Sequence, residues 1–175
     1  DAKGLLKASV EDPDPVLFLE HKACYRMVRG EVPDEDYRVP IGKAKVRREG
    51  SDLTVFAYGL MLHHSLAAAE RLADEGIDAE VVDLRTLRPL DTETILASAR
   101  KTGKVLIVHE DNLTGGLGGE IAALISQHAF EYLDAPISRL AGPDVPAMPY
   151  AATLEEAFMP SPDTIANAMR TLAAY

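Results

Sequence analysis

The chain has 175 residues, 47% of them hydrophobic and 26% charged, the balance of a soluble globular protein of one ordinary domain plus an appended segment. No run approaches the ~18 apolar residues needed to span a bilayer. No charged-then-apolar leader precedes a cleavage site, so secretion is not indicated. The formal net charge is −10, and it is unevenly placed: residues 1–50 hold ten acids and ten bases, whereas residues 51–175 hold 18 acids and 8 bases. Such a surface repels phosphate backbones and anionic lipid, which argues against nucleic-acid and membrane partners. It would attract a basic protein, although simple solubility explains the charge equally well. The single cysteine, Cys24, cannot form an internal disulfide, which suits a reducing compartment, and reads as an unreactive thiol.

Asp1 to Val10 reads as a helix already under way, with Leu5, Leu6 and Val10 on one apolar stripe. Glu11 to Pro15 (EDPDP) is a turn, because two prolines and three acids cannot continue a helix. Val16 to Leu19 (VLFL) is expected to be a short, fully buried strand. One helix and one strand bury too little to fold alone, so residues 1–29 are expected to be the tail of a domain lying upstream. Residues 30–50, with Pro33, Pro40, Gly42 and dense charge, read as an interdomain linker, extended around Lys43 to Arg48.

Residues 51–175 alternate regularly. Leu53 to Ala57 is a strand closed by Gly59; Leu62, Leu66, Ala69 and Ala73 then fall at helical spacing, and Gly76 stops the helix. Glu80 to Leu84 is a second strand, Asp91 caps a helix running to Arg100, and Val105 to Val108 is a third strand. A helix over Gly119 to Tyr132 and a fourth strand at Ile137 to Leu140 follow. Ser161, Pro162 and Asp163 supply an N-cap, a first-turn proline and a favourable charge for the last helix. Strands alternating with helices define a three-layer α/β domain with a mostly parallel sheet.

The ligand-binding motifs in this stretch are incomplete. Thr114-Gly115-Gly116-Leu117-Gly118-Gly119 lies between a strand and a helix, where a phosphate loop would sit. It lacks the Lys-Ser/Thr ending of a nucleotide loop, and Ile121 stands where the third glycine of a dinucleotide loop belongs, which disfavours an unrelated nucleotide-binding α/β protein. The simpler reading is that these glycines let the chain turn tightly and approach a neighbour. His21, His63, His64, His109 and His128 form no zinc-hydrolase pair around a glutamate. His109-Glu110-Asp111 ends a strand at the edge where α/β sheets bind ligands, which singles it out, although a structural histidine is the commoner case. No serine sits in a nucleophile elbow.

Six stretches together resemble the beta subunits of the decarboxylase component of thiamine-diphosphate-dependent 2-oxo acid dehydrogenases. They are DAKGLLK from Asp1, FLEHKACYR from Phe18, GEVPDEDYRVPIGKA from Gly30, EVVDLRTLRPLD from Glu80, KTGKVLIVHE from Lys101 and DAPISRLAGPDVPAMP from Asp134. HKACYR, GEVP and LAGPD-PAMPY resemble the branched-chain members more than the pyruvate dehydrogenase members, which are the alternative. The resemblance implies that residues 51–175 form a transketolase C-terminal-type domain and that residues 1–29 are the end of a pyrimidine-binding α/β domain. It further implies an α2β2 assembly in which thiamine diphosphate and magnesium bind mainly outside this chain. The partners it implies are an alpha subunit, a second beta subunit and the basic subunit-binding domain of a lipoyl acyltransferase. The compartment is the cytoplasm of a bacterium, or the mitochondrial matrix if the source is eukaryotic.

The glutamate that meets the aminopyrimidine in that family, and the histidine that assists acyl transfer, lie upstream of the matching region. The resemblance therefore carries no catalytic or cofactor-contacting residue onto this chain, and the 175 residues alone are expected to be inactive. It does carry part of a potassium site: Ser9, Asp12 and Asp14 match ligand positions at a helix-to-turn junction. Hard oxygen ligands suit such a cation, and a carbonyl ligand at Ser9 tolerates a change of side chain. A plain acidic turn is the competing reading. These residues are thus either part of an enzyme subunit or an assembly module that dimerises and docks the acyltransferase.

Overall fold

The computed structural model describes residues 1–175. Helix α1 (Ala2–Glu11) opens the chain, and a single helical turn, α2 (Cys24–Met27), follows a long irregular stretch. The sheet domain then runs β1 (Lys45–Arg48), β2 (Leu53–Ala57), α3 (Leu60–Ala73), β3 (Ala79–Asp83), α4 (Thr92–Thr102), β4 (Val105–Asn112), α5 (Leu117–His128), β5 (Ser138–Gly142), α6 (Ala152–Phe158) and α7 (Pro162–Ala173). The strand order is β1-β3-β2-β4-β5. β2 to β5 are mutually parallel, and β1 joins the edge antiparallel to β3, with Lys45 opposite Asp83.

The continuous apolar runs of the inner strands follow from burial on both faces. In β4, Leu106 and Val108 enter an 18-residue cluster with Met61, Ala69, Ile165, Met169 and Leu172 of α3 and α7. Val105 and Ile107 enter a 10-residue cluster with Ile95, Ala99, Ile121 and Ile125 of α4 and α5. Side chains that alternate along a strand thus meet helices in both directions, and the three layers follow from that. The helix boundaries come from local chemistry: Asp91 accepts the Thr94 N–H at the start of α4, and Gly103 ends that helix at φ 67°. Ser161 and Thr164 form a reciprocal capping box at the start of α7. At the amino edge of the sheet, the buried Glu80 carboxylate is satisfied by Lys101 and by the Thr54 hydroxyl.

The expected strand at Val16–Leu19 does not form. This stretch is irregular, and Leu17 and Leu19 are 91% and 83% exposed. A strand needs a neighbour to bond with, and the edges of the sheet are β1 and β5, which this segment does not join. Helix α5 is shorter than expected, ending at His128 before a 3-10 turn at Phe130–Tyr132. Helices α2 and α6 carry no clear periodic signal and were not expected from the pattern. No helix is long and apolar enough to cross a membrane.

Candidate functional site

In open parallel sheets, ligands bind beyond the carboxyl ends of the strands where successive connections diverge. Here that point lies between β2 and β4, because β3 follows β2 on one side and β4 lies on the other. His21 to Cys24 lie against this edge. His21 Nε2 meets the Glu110 carboxylate at 3.0 Å, while Ala23 and Cys24 pack on the larger apolar cluster. Burial, and then the nearby Glu110, pushes the Cys24 thiol up, which keeps it protonated and poorly nucleophilic. Burial also raises the Tyr58 hydroxyl, helped by Asp111 and Glu110. Residues 21–24 thus border the place where a ligand would ordinarily enter.

A second contact lies at the end of β3. Arg85 has φ 56°, the left-handed region that side chains avoid, and the Thr86 N–H bonds back to the Leu84 carbonyl at 2.5 Å across it. The Arg85 side chain is 10% exposed and donates to the Asp1 carboxylate at 2.8 Å. Arg47 of β1 reaches the same carboxylate at 3.3 Å and Asp83 at 3.9 Å. Burial pushes the Asp83 carboxyl up, against the Arg85 backbone N–H and the two arginines. Burial likewise pushes the neighbouring His63 down, with Arg47 adding to the effect. His64 instead pairs its Nδ1 with the Pro160 carbonyl at 3.1 Å, a contact that ties α3 to the start of α7.

Helix α1 is held along its length. Lys3 bonds the carbonyls of Pro33 and Glu35 and lies over the Tyr37 ring. Lys7 pairs with Asp36, and Arg38 with Glu11. Gly4 is required at the closest approach, since a Cβ there would stand 2.6 Å from Val39 Cγ2.

Ser9, Asp12 and Asp14 lie at the far end of α1. The Ser9 hydroxyl donates to the Leu5 carbonyl at 2.8 Å, Asp12 ends the helix by donating its N–H to Ala8, and Asp12 Oδ1 accepts the Asp14 N–H at 3.0 Å. Pro13, at the position whose N–H would close the helical bond to the Ser9 carbonyl, has none. That carbonyl is left directed along the helix axis at its negative end, beside the acidic turn. No three His, Cys, Asp or Glu side chains converge as a metal-binding group anywhere in the chain.

The glycine run after β4 performs the packing role expected of it. Gly115 turns the chain at φ 81°, and Gly116 and Gly118 lie against the His109 ring. His109 is fully buried, and neither ring nitrogen has a hydrogen-bond partner. Burial pushes its pKa down, so the ring stays neutral. Thr114 donates its N–H and hydroxyl to Asp144, at 3.0 and 2.6 Å. With Asp111 and Asp144 beside the loop and the imidazole beneath it, the loop does not fit a diphosphate.

Residues 42–165 match the family model of the transketolase C-terminal domain, and the chain belongs to that family. It is 61% identical over all 175 residues to the 2-oxoisovalerate dehydrogenase subunit beta of Bacillus subtilis (strain 168), covering 100% of the chain and 54% of that protein. It is 49% identical over 173 residues to the mitochondrial pyruvate dehydrogenase E1 component subunit beta-2 of Oryza sativa subsp. japonica, covering 97% of the chain and 46% of the relative. The chain therefore spans about half the length of the curated relatives it matches. Among solved structures, a split gene transketolase described as an inactive beta4 tetramer superposes with a TM-score of 0.69 at 32% identity, covering 83% of the chain and 46% of its own. The α/β fold with a mostly parallel sheet, and the likeness to 2-oxo acid dehydrogenase beta subunits, are borne out.

His21, Asp1, Arg47 and Arg85 had no signal of their own in the sequence. Their significance depends on which distant segment each one meets. Arg85 lies in the EVVDLRTLRPLD stretch, which marked the resemblance without showing that the arginine is buried.

Proposed function

We propose that this chain works as part of the beta subunit of a branched-chain 2-oxo acid dehydrogenase. In that subunit it supports oxidative decarboxylation of branched-chain 2-oxo acids and acyl transfer to lipoyl within an α2β2 assembly. The observation that carries this reading is the whole-chain identity of 61% to a 2-oxoisovalerate dehydrogenase subunit beta, against 49% to a pyruvate dehydrogenase one. Thiamine diphosphate with magnesium supplies the carbanion chemistry in such an enzyme. The glycine loop offers that diphosphate no place, so no catalytic step is assigned to this chain. Its own contribution is assembly: pairing with a second beta subunit, contact with the alpha subunit and docking of the acyltransferase's basic subunit-binding domain. The cytoplasm is the compartment we assign, with the mitochondrial matrix the alternative for a eukaryotic source.

Within the same reading, the junction of Ser9, Asp12 and Asp14 contributes to a potassium site. The free Ser9 carbonyl and the Asp12 oxygens are hard donors of the kind a group-one cation takes, and ligands from elsewhere in the subunit complete the set. The division into residues 1–29, a connecting stretch 30–50 and residues 51–175 belongs to this proposal as well, with the end of the connecting stretch joining the sheet as the edge strand β1. It accords with the dependence of the first 40 residues on polar contacts rather than on a core of their own.

The test is substrate preference. The complete beta subunit, assembled with its alpha subunit, should show a higher kcat/KM for 2-oxoisovalerate than for pyruvate. A preference for pyruvate would instead assign the chain to the pyruvate dehydrogenase branch.

A further inference from the structure

We infer that Arg85 is a positioning residue: with Arg47 it grips the Asp1 carboxylate and latches helix α1, with the acidic turn at its far end, to the carboxyl edge of the sheet. Three independent features single it out. The backbone at Arg85 is strained at φ 56°, a conformation that glycine would adopt without cost. Its guanidinium is nine-tenths buried, and its Nε–H is buried without a partner. Its 2.8 Å bond to Asp1 spans 84 residues and joins two segments that share little apolar contact.

Only Gly4 of α1 is buried, so the helix is not held by a hydrophobic face. Its attachments are Lys3, Lys7 and Glu11 to residues 33–38, and Asp1 to Arg85 and Arg47. The first group ties α1 to a segment that is itself irregular. The Asp1 contact alone ties it directly to two strands of the sheet, through Arg47 on β1 and Arg85 just after β3. A left-handed backbone turns the Arg85 side chain toward α1 at this point, and the Arg85 N–H bond to Asp83 Oδ1 at 3.1 Å supports the turn. A partly buried ion pair is screened less by solvent ions than an exposed one. The exposed Lys7–Asp36 pair is individually weak, and the two-pronged Arg38–Glu11 pair holds α1 only to the irregular segment, so attachment to the sheet falls to Asp1.

A helix of ten residues is a rigid rod about 15 Å long, so fixing one end restricts the other. The Ser9–Asp14 turn is that other end. This consequence rests on the potassium reading, whereas the latch itself does not.

The test uses the complete beta subunit in its assembled complex and follows hydrogen exchange segment by segment. Asp1→Asn should speed exchange of the α1 amides by roughly tenfold while leaving β2 and β4 unchanged, because only a local opening is eased. Arg85→Gly should do the same for α1, although it relieves the strained backbone. Arg85→Lys, which keeps the charge, should recover part of the protection. If Arg85 were merely a turn former, the glycine variant would leave α1 exchange as it was. Unchanged α1 exchange in both Asp1→Asn and Arg85→Gly overturns the latch. A potassium-dependent rise in Tm that is smaller in Asp1→Asn than in wild type would extend the latch to the turn. No potassium effect in wild type would remove the potassium reading alone, with exchange still deciding the latch.

Discussion

A Cβ placed on Gly118 would stand 2.6 Å from His109 Nε2, so the glycine loop and the buried imidazole are fitted to one another without any spare room. Gly118→Ala should therefore destabilise the domain by about 1–3 kcal/mol through overpacking. Urea unfolding at neutral pH measures this, and a change within error of zero would show that the ring can move aside. His109→Leu should cost little or even stabilise, because it removes two unpartnered polar atoms from the interior.

The same ring predicts a pH dependence. The unfolded imidazole takes up its proton near the ordinary 6.5, whereas burial holds the folded one neutral to lower pH. The unfolded state then binds more protons, so stability is full above about pH 6.5 and is lost as pH falls below it. His63 is shifted in the same direction and remains in the variant, so the informative quantity is a difference. Wild type should lose more Tm between pH 7.5 and 5.5 than His109→Leu does, and parallel profiles would rule out His109 as a source.

Asp91 does more than cap α4, since it accepts the Thr94 N–H and hydroxyl and also the Ala44 N–H ahead of β1. Asp91→Ala should cost about 2 kcal/mol, at the upper end for an N-cap. Ser161→Ala, which removes one side of the α7 capping box, should cost about 1 kcal/mol. Equal losses in chemical denaturation would mean that the bond to Ala44 contributes nothing.

Calorimetric titration of the 175-residue chain with thiamine diphosphate and magnesium should show no binding, given the acidic groups beside the glycine loop. Micromolar affinity would contradict the assignment of cofactor contacts elsewhere.

For the potassium site, Asp12→Ala in the complete, assembled subunit should shrink the rise in Tm that potassium produces, since a hard oxygen is lost. A larger organic cation should give no such rise. If wild type and Asp12→Ala respond alike to both cations, Asp12 contributes no ligand.

The acidic balance of residues 51–175 predicts how the basic subunit-binding domain would associate with the complete beta subunit. Long-range attraction acts mainly on the association rate, and the screening length falls from ~10 Å at 0.1 M salt to ~3 Å at 1 M. Association should slow steeply across that range in stopped-flow measurements. A rate indifferent to salt would remove charge steering from the account.

The α/β character was legible in the sequence because its causes are local. The apolar runs at Leu53–Ala57 and Val105–Val108, the Asp91 and Ser161 caps and the stops at Gly76 and Gly103 each act within a few residues of themselves. The same locality misled at Val16–Leu19, where an apolar run suited to a strand has no neighbour to pair with and stays exposed. The potassium positions were reached only through family resemblance, and nothing in the residues 9–14 alone distinguishes a cation site from an acidic turn. His21 with Glu110 and Asp1 with Arg85 are separated by 89 and 84 residues, and no periodicity or motif encodes such pairs. Only the assembled sheet, by bringing the ends of β3 and β4 beside Asp1 and His21, decides that these charges meet. The physical reason is that capping and strand propensity are set by near neighbours, whereas burial and ion pairing depend on which distant groups the tertiary fold delivers.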